Sequence, residues 1–451
     1  VTDLLGIGVT GVRAYQTALS TTSENISNAA TPGYSRRTAV VEEFRTTGIA
    51  GIGQMTLLAG GGVRIAGVTR AADDFRAAQA RTTGSDVARS ASGVAWIDRI
   101  EGALSGNQLS DRLITFFASA KNVAADPSAT APRTVLLEDA RSLAAGFNST
   151  GRALAGAADE LAAQGRDMAA QLGDLGTSMV RINQGLTRAA EGSSARAQLL
   201  DERDRTLESM SALVDVDTSF DSLGRAVVRA GGSAGPVIAD VERSAVISFV
   251  TNASGEAAIA ASGPAGHAVV PATGGAMAGL VDGALKIAGA RERLNTIATD
   301  FVGQMNDWQA QGKTLTGAAG PAMFGVAAGA APTEISVVLD DPRGVAAAYG
   351  TEGARGNGNL TRLVDLRASA GWETRFDDLT TENAALLKTR RGVVEAQTAI
   401  HGAATAARDE MTGVDLDEEA VNLIRFQQAY QASSRIIQVA RDILQTIIDI
   451  R

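Results

Sequence analysis

Residues 416–451 read LDEEAVNLIRFQQAYQASSRIIQVARDILQTIIDIR, without a proline or a glycine. Leu416, Leu423, Tyr430, Ile437 and Leu444 recur every seven residues, and Phe426, Ala440 and Ile447 fall three places further on. This spacing predicts a helix that packs along the length of another helix. Ile436, Ile443 and Ile450 sit just before those positions and Ile448 just after, so the apolar face is wider than a two-stranded seam needs. Such a helix spans roughly 54 Å and should touch more than one neighbour.

The other end of the sequence offers a mate. Leu5, Val12, Leu19 and Ile26 also recur every seven residues, and Gly8, Gly11, Ala18 and Thr22 beside them would let a second helix approach closely. Nearly the whole sequence separates the two segments, so they cannot form a local hairpin. Two readings stand at this point: an ordinary core contact between the ends, or a pair of ends that packs against other molecules.

Composition narrows the classes. The 451 residues are 45% apolar but only 4% aromatic, so the core must be built from Ala, Leu, Val and Ile. They suffice for two to four domains. The net charge of −9 argues against a general nucleic-acid surface, which needs clustered Lys and Arg. With no cysteine there can be no disulfide or thiolate metal site. Val1-Thr2-Asp3-Leu4-Leu5 has neither the basic nor the apolar region of a cleavable secretory signal, and no run of eighteen apolar residues predicts a membrane span or membrane insertion.

The expected fold is α+β: a long helical bundle or coiled coil built from both termini, with a small all-β insertion. Residues 1–70 should hold the first helix (3–28), a turn at Thr31-Pro32-Gly33-Tyr34, and two β runs (Thr38–Phe44 and Gly62–Val68) joined by a Gly-rich loop from Gly48 to Gly62. Pro32 presets φ and Gly33 supplies a positive φ, which suits a type II turn. Residues 71–213 should be a helical body. Its longest helix starts near Pro132 and carries Phe147, Leu154, Leu161, Met168, Leu175 and Ile182 at unbroken seven-spacing. Seven glycines between Gly146 and Gly185 each cost about 1 kcal/mol relative to Ala, so that helix needs a packed bundle around it. Alternation and β-branched runs such as Val246-Ile247-Ser248-Phe249-Val250 place the β insertion at 214–273. A return helix and a mixed segment fill 274–372, with one clear strand at Ile335–Leu339. A helical hairpin closes the chain at 373–451 and packs with the first helix.

Several stretches together resemble one family. Asn25-Ile26-Ser27-Asn28-Ala29-Ala30-Thr31-Pro32-Gly33-Tyr34 resembles the N-terminal signature of bacterial flagellar rod, hook and hook-associated proteins, and Gly62-Val63 through Val68, Arg70, Asp74 and Phe75 resembles the segment that follows it. Gly413-Val414-Asp415-Leu416-Asp417-Glu418-Glu419, then Asn422-Leu423 and Phe426-Gln427-Gln428-Ala429-Tyr430-Gln431-Ala432, is similar to the C-terminal signature of the hook-associated protein 1 family, the first hook–filament junction proteins. The long helix and Leu200-Asp201-Glu202-Arg203-Asp204 resemble that family too.

The resemblance implies a structural, extracellular role with no cofactor. Copies of the chain would form a ring joining hook protein to a second hook-associated junction protein, after unfolded export through the flagellar type III channel. It also implies that a cytoplasmic export chaperone binds the C-terminal helix first. The spacing makes Leu5, Val12, Leu19, Ile26, Leu416, Leu423, Phe426, Tyr430, Ile437, Leu444 and Ile447 the packing residues. By similarity, Leu423, Phe426, Tyr430, Ile437 and Leu444 would serve first the chaperone and later the polymer, and Asn25, Asn28, Thr31, Pro32, Gly33 and Tyr34 form the family turn. Rival readings are another axial component, such as a hook or distal rod protein, and a cytosolic coiled-coil adaptor.

Chemistry finds little footing. Gly6-Ile7-Gly8-Val9-Thr10-Gly11 matches G-x-G-x-x-G, but no strand precedes it and no acidic residue ends a second strand about twenty residues on. Small residues on a packing face explain it better. Asp415, Asp417, Glu418 and Glu419 suit a helix dipole with Asp415 as N-cap better than a cation site. His267 and His401 stand far apart and without cysteine, so a zinc site is not expected. Arg36-Arg37 beside Glu42-Glu43 reads as a solvated charge pair, with an intersubunit bridge as the alternative.

Overall fold

The computed structural model describes residues 2–43, 46–49, 55–58, 61–263, 266–353 and 355–449. Phe44, Ile450 and part of the expected 48–62 loop lie outside them. The chain opens with α1 (Thr2–Asn28), then β1 (Arg37–Glu43), β2 (Thr46–Ile49), β3 (Met55–Leu58) and β4 (Val63–Arg70). The body follows as α2 (Asp74–Ser105), α3 (Leu109–Ala125), α4 (Thr130–Arg188) and α5 (Ser194–Leu213). Six strands come next: β5 (Val216–Phe220), β6 (Ala226–Ala230), β7 (Val237–Ala239), β8 (Val246–Thr251), β9 (Ala257–Gly263) and β10 (Gly266–Val270). The chain then runs through α6 (Gly275–Gln311), β11 (Phe324–Val326), β12 (Ile335–Val337), α7 (Gly358–Ala370), α8 (Trp372–Thr412) and α9 (Leu416–Asp449).

The fold is mostly helical with small antiparallel sheets, and the two chain ends do pack together: α1 lies along α9, and α2 along α8. One expectation needs correcting. The segment expected as a Gly-rich loop, Gly48 to Gly62, holds the end of β2 and all of β3, which pair antiparallel from Thr46↔Leu58 to Ile49↔Met55. The β-prone residues Thr46, Thr47 and Ile49 outweigh the single Gly48 between them.

Six of the eighteen aromatic residues meet in one cluster. Phe116, Phe117, Phe301, Phe324 and Trp372 meet with centroid separations of 5.1–6.0 Å, and Phe147 stands 5.8 Å from Phe301. They come from α3, α4, α6, β11 and α8, so this cluster joins segments far apart in sequence. Away from it the helices approach through small residues. Gly279 and Gly283 of α6 let that helix lie against Ser92 and Trp96 of α2.

α4 is a single helix of 59 residues. Its glycines are partly contact sites: a Cβ on Gly165 would strike the ring of Phe249 from β8. The strands make two three-stranded antiparallel sheets, β5-β6-β7 and β8-β9-β10. Their buried residues, among them Val228, Ile247, Phe249 and Ile259, belong to the same apolar core as α4 and α6.

Candidate functional site

Where the terminal helices leave the body, polar side chains form a buried knot. α1 ends at Asn28, and the chain reverses through Thr31–Tyr34. The Tyr34 N–H donates to the Thr31 carbonyl at 3.1 Å, and Gly33 holds φ +73°, as a type II turn needs. The reversal brings β1 back along α1. There Asn25, on the last turn of α1, clamps the strand. Its Nδ2 donates to the Arg37 carbonyl at 2.7 Å, and its Oδ1 accepts from the Arg37 N–H at 3.0 Å and from the Tyr34 hydroxyl at 2.8 Å. The motif residue Asn25 thus satisfies backbone groups that the strand start would otherwise leave buried and unpaired, and the Tyr34 hydroxyl bonds the Asn25 side chain.

Arg37 itself is 5% exposed. Its guanidinium lies over the Tyr34 ring and meets Asp201 at 2.7 Å and Glu24 at 3.3 Å. Asp201, on α5, also takes Arg70 at 2.6 Å, and Arg70 reaches Asp204 at 2.5 Å. The neighbouring Arg36 turns the other way, to Glu418 at 2.7 Å and Glu419 at 2.8 Å in the first turn of α9. Its N–H donates to the Thr412 carbonyl at 2.8 Å.

Arg36 and Arg37 are therefore no solvated pair with Glu42 and Glu43. They tie β1 to α9 and to α5 respectively. Alternation sends adjacent side chains to opposite sides of the chain, which leaves Arg37 buried and Arg36 half-buried. Burial drives the Tyr34 phenol up to about 12; the Arg37 charge opposes this, and Glu24, Asp201 and Glu419 reinforce it.

The acidic start of α9 has two parts. Asp415 is the N-cap, accepting the Asp417 and Glu418 N–H groups at 2.9 and 3.3 Å. Glu419 is only 2% exposed and serves Arg36, a role that the helix dipole alone does not explain. Among the described residues no group of His, Cys, Asp or Glu is arranged to hold a metal ion.

The seam between α1 and α9 is made of small residues. On α1 the buried positions are Gly8, Gly11, Ala14, Ala18, Thr21, Thr22 and Asn25, and on α9 they are Glu419, Ser433 and Ala440. The larger residues expected to pack flank that seam. Leu5, Val12, Leu19, Ile26, Leu423, Phe426, Tyr430 and Ile437 are half-buried, while Leu416, Leu444 and Ile447 are exposed. Tyr15 meets Phe426 with centroids 6.4 Å apart. In the last turns of α9, Val439, Leu444, Ile447 and Ile448 stand 40–59% exposed. Of the turn residues, Asn25 and Tyr34 lie in the knot, Asn28 and Thr31 bond each other at 3.3 Å, and Pro32 and Gly33 are exposed.

Sequence reasoning did not single out Arg37, Arg70, Asp201, Asp204 and Glu419 as partners. A signal was present: each lies inside or beside a stretch with motif character, and an apolar surround leaves a charge no choice but to pair. Gly6–Gly11 lies within α1, so the dinucleotide reading has no strand–turn–helix to rest on.

The pattern described as the flagellar hook-associated protein FlgK helical domain matches residues 95–324, more than half of the 451. The chain belongs to the flagellar hook-associated protein FlgK family. A second pattern, the flagellar basal body rod FlgEFG protein C-terminal region, matches residues 406–450, which contain α9. The chain is 24% identical to flagellar hook-associated protein 1 of Bacillus subtilis over 97% of its length and 96% of that protein. It is 28% identical to flagellar hook-associated protein 1 of Salmonella typhimurium over 152 residues, which are 33% of this chain and 27% of that one.

In fold it is similar to the flagellar hook junction protein FlgK from Burkholderia pseudomallei. That match has a TM-score of 0.50 and 20% identity, and covers 55% of this chain and 47% of that chain. As a member of the FlgK family, it is a structural component of the flagellum at the hook–filament junction, outside the cell, and not an enzyme. It assembles in the flagellum with other axial proteins.

Proposed function

We propose that copies of this chain form a ring between the hook protein and a second hook-associated junction protein, held by the α1–α9 pair. In this reading the body and the 214–273 strands lie outward of the terminal pair, and residues 1–70 and 373–451 form the inner part. The chain is exported unfolded through the flagellar type III channel. Before that, a cytoplasmic chaperone covers the C-terminal helix.

One observation carries the proposal. Val439, Leu444, Ile447 and Ile448 remain half-exposed after α9 has packed on α1. Burying each of these half-exposed side chains would contribute roughly 1 kcal/mol, so a single neighbour covering the face would gain several kcal/mol before ordering costs. Ile436 and Ile443, which widen that apolar face, are also exposed, as a helix with more than one neighbour requires.

Leu444→Asp combined with Ile447→Asp tests the reading. Both side chains are exposed, so the soluble chain should fold and melt as the parent does. Expected are hooks without filaments and filament protein shed into the medium. Normal filaments from that variant would overturn the role of this face. Protein confined to the cytoplasm and absent from sheared flagella would favour a cytosolic adaptor instead.

A further inference from the structure

We infer that neighbouring copies of this chain meet through a basic notch on one body and an acidic strip on the next, an inference that rests on the ring reading above. The notch lies where α2, α6 and α8 come together. Val94 and Ile97 form an apolar wall, and Arg89, Lys286 and Arg390 supply positive charge. Among the described residues that line it, Asp282 is the one acid, and it is taken by Arg89 at 3.0 Å. Lys286 and Arg390 are exposed and have no ion-pair partner among the described residues. On a chain of net charge −9 such a patch stands out, because copies of like charge repel unless opposite patches are brought face to face.

The acidic counterpart is on α4. Glu160, Asp167 and Asp174 are spaced by seven residues and exposed, so they share one side of the helix. Glu160 is held by Arg99 at 2.9 Å. Asp167 and Asp174 have no ion-pair partner among the described residues.

The strip on α4 begins at the height of the notch and runs on along the helix from there. One turn of α2 touches the other three helices: Trp96 packs on Gly283 of α6, Asp98 bonds Arg391 of α8 at 2.7 Å, and Arg99 bonds Glu160 of α4. Lys286 is less than a turn from Gly283, Arg390 is next to Arg391, and Asp167 is about 10 Å along α4 from Glu160. Subunits set side by side therefore bring the notch of one level with the strip of the next. Such a contact is heterologous, with two different surfaces meeting, as a ring requires.

The absence of cysteine permits a clean test. Lys286→Cys and Asp167→Cys chains carrying different tags are co-expressed as the sole source of the protein, and sheared flagella are treated with a short bis-maleimide. A cross-link between the two tags is expected. No cross-link, with both thiols accessible to a monofunctional maleimide, overturns the inference. In parallel, Lys286→Glu with Arg390→Glu should lower incorporation at least tenfold, and adding Asp167→Lys with Asp174→Lys should restore it to within threefold of the parent. Undiminished incorporation of the first variant, or failure of the second pair to restore it, also overturns the inference. Absence of the parent chain itself from sheared flagella would overturn the ring reading, and this inference with it.

Discussion

Gly8 lies directly against Ile437: a Cβ built on Gly8 would stand 2.6 Å from Ile437 Cγ1 and 3.3 Å from both the Ile437 nitrogen and the Ser433 carbonyl oxygen. Gly11 stands in the same relation to Ser433, whose Oγ would be 2.6 Å away. The seam between the terminal helices is therefore closed at backbone distance, and a larger side chain must push the helices apart. Gly8→Val should weaken α1–α9 docking by about 2 kcal/mol, the usual scale of overpacking. Amide exchange should accelerate across residues 4–26 and 430–442 and stay unchanged in α4. Unchanged exchange in the terminal pair would show that the helices can slide to accept the methyl groups.

Asn25→Ala removes a side chain that satisfies both backbone groups of the buried Arg37 and the Tyr34 hydroxyl. Two buried backbone groups left without partners should cost about 3 kcal/mol, read as a lower midpoint in chemical denaturation. A loss below about 1 kcal/mol would mean that water replaces the amide.

Alkaline pH should loosen the same knot. Tyr34 has its pKa raised to about 12 against an ordinary 10.0, chiefly through burial. Well below pH 10 the phenol is protonated in both folded and unfolded chains, and this group lends no pH dependence. Between about 10 and 12 the unfolded chain loses the proton and the folded chain keeps it, so stability falls as pH rises and levels off above that window. Tyr34→Phe should abolish this part of the fall, and should remove a phenolate absorbance step near pH 12. A parent protein whose pH 10–12 stability profile matches that of Tyr34→Phe would refute the assignment.

Helix extents were legible because seven-spacing and glycine or proline punctuation are local signals. α1, α4 and α9 begin and end within a few residues of where the sequence places them. The pairing of α1 with α9 was legible for the same reason, since small residues such as Gly8 and Gly11 accompany the spacing. The knot was less so. Arg37 and Asp201 are 164 residues apart, and nothing local to Arg37 distinguishes a buried guanidinium from a solvated one. The β2–β3 pairing was missed because glycine-rich composition suggests a loop when the partner strand is not yet known. Conversely, Leu444 and Ile447 look like core residues in sequence, and their exposure in the folded chain is what directs attention to a neighbour.

Trp372 tests whether the body holds itself independently of the terminal pair. The indole is fully buried, stacks on Phe117 at 5.8 Å with planes 7° apart, and lies edge-on to Phe301 at 5.3 Å. Among the described residues its buried Nε1–H has no hydrogen-bond partner, a cost of about 1–3 kcal/mol that the ring's packing must exceed. Trp372→Ala should therefore destabilise the body by about 3–5 kcal/mol. Trp372→Phe keeps an aromatic ring and removes the unpaired donor, so its loss should stay under about 1 kcal/mol. Because Gly8 and Trp372 lie in separate contact regions, combining Gly8→Val with Trp372→Ala should be additive within about 0.5 kcal/mol, measured by urea unfolding followed by circular dichroism. A larger departure would mean that the seam and the aromatic cluster are strained or stabilised together, through α8 and α2, which run between them.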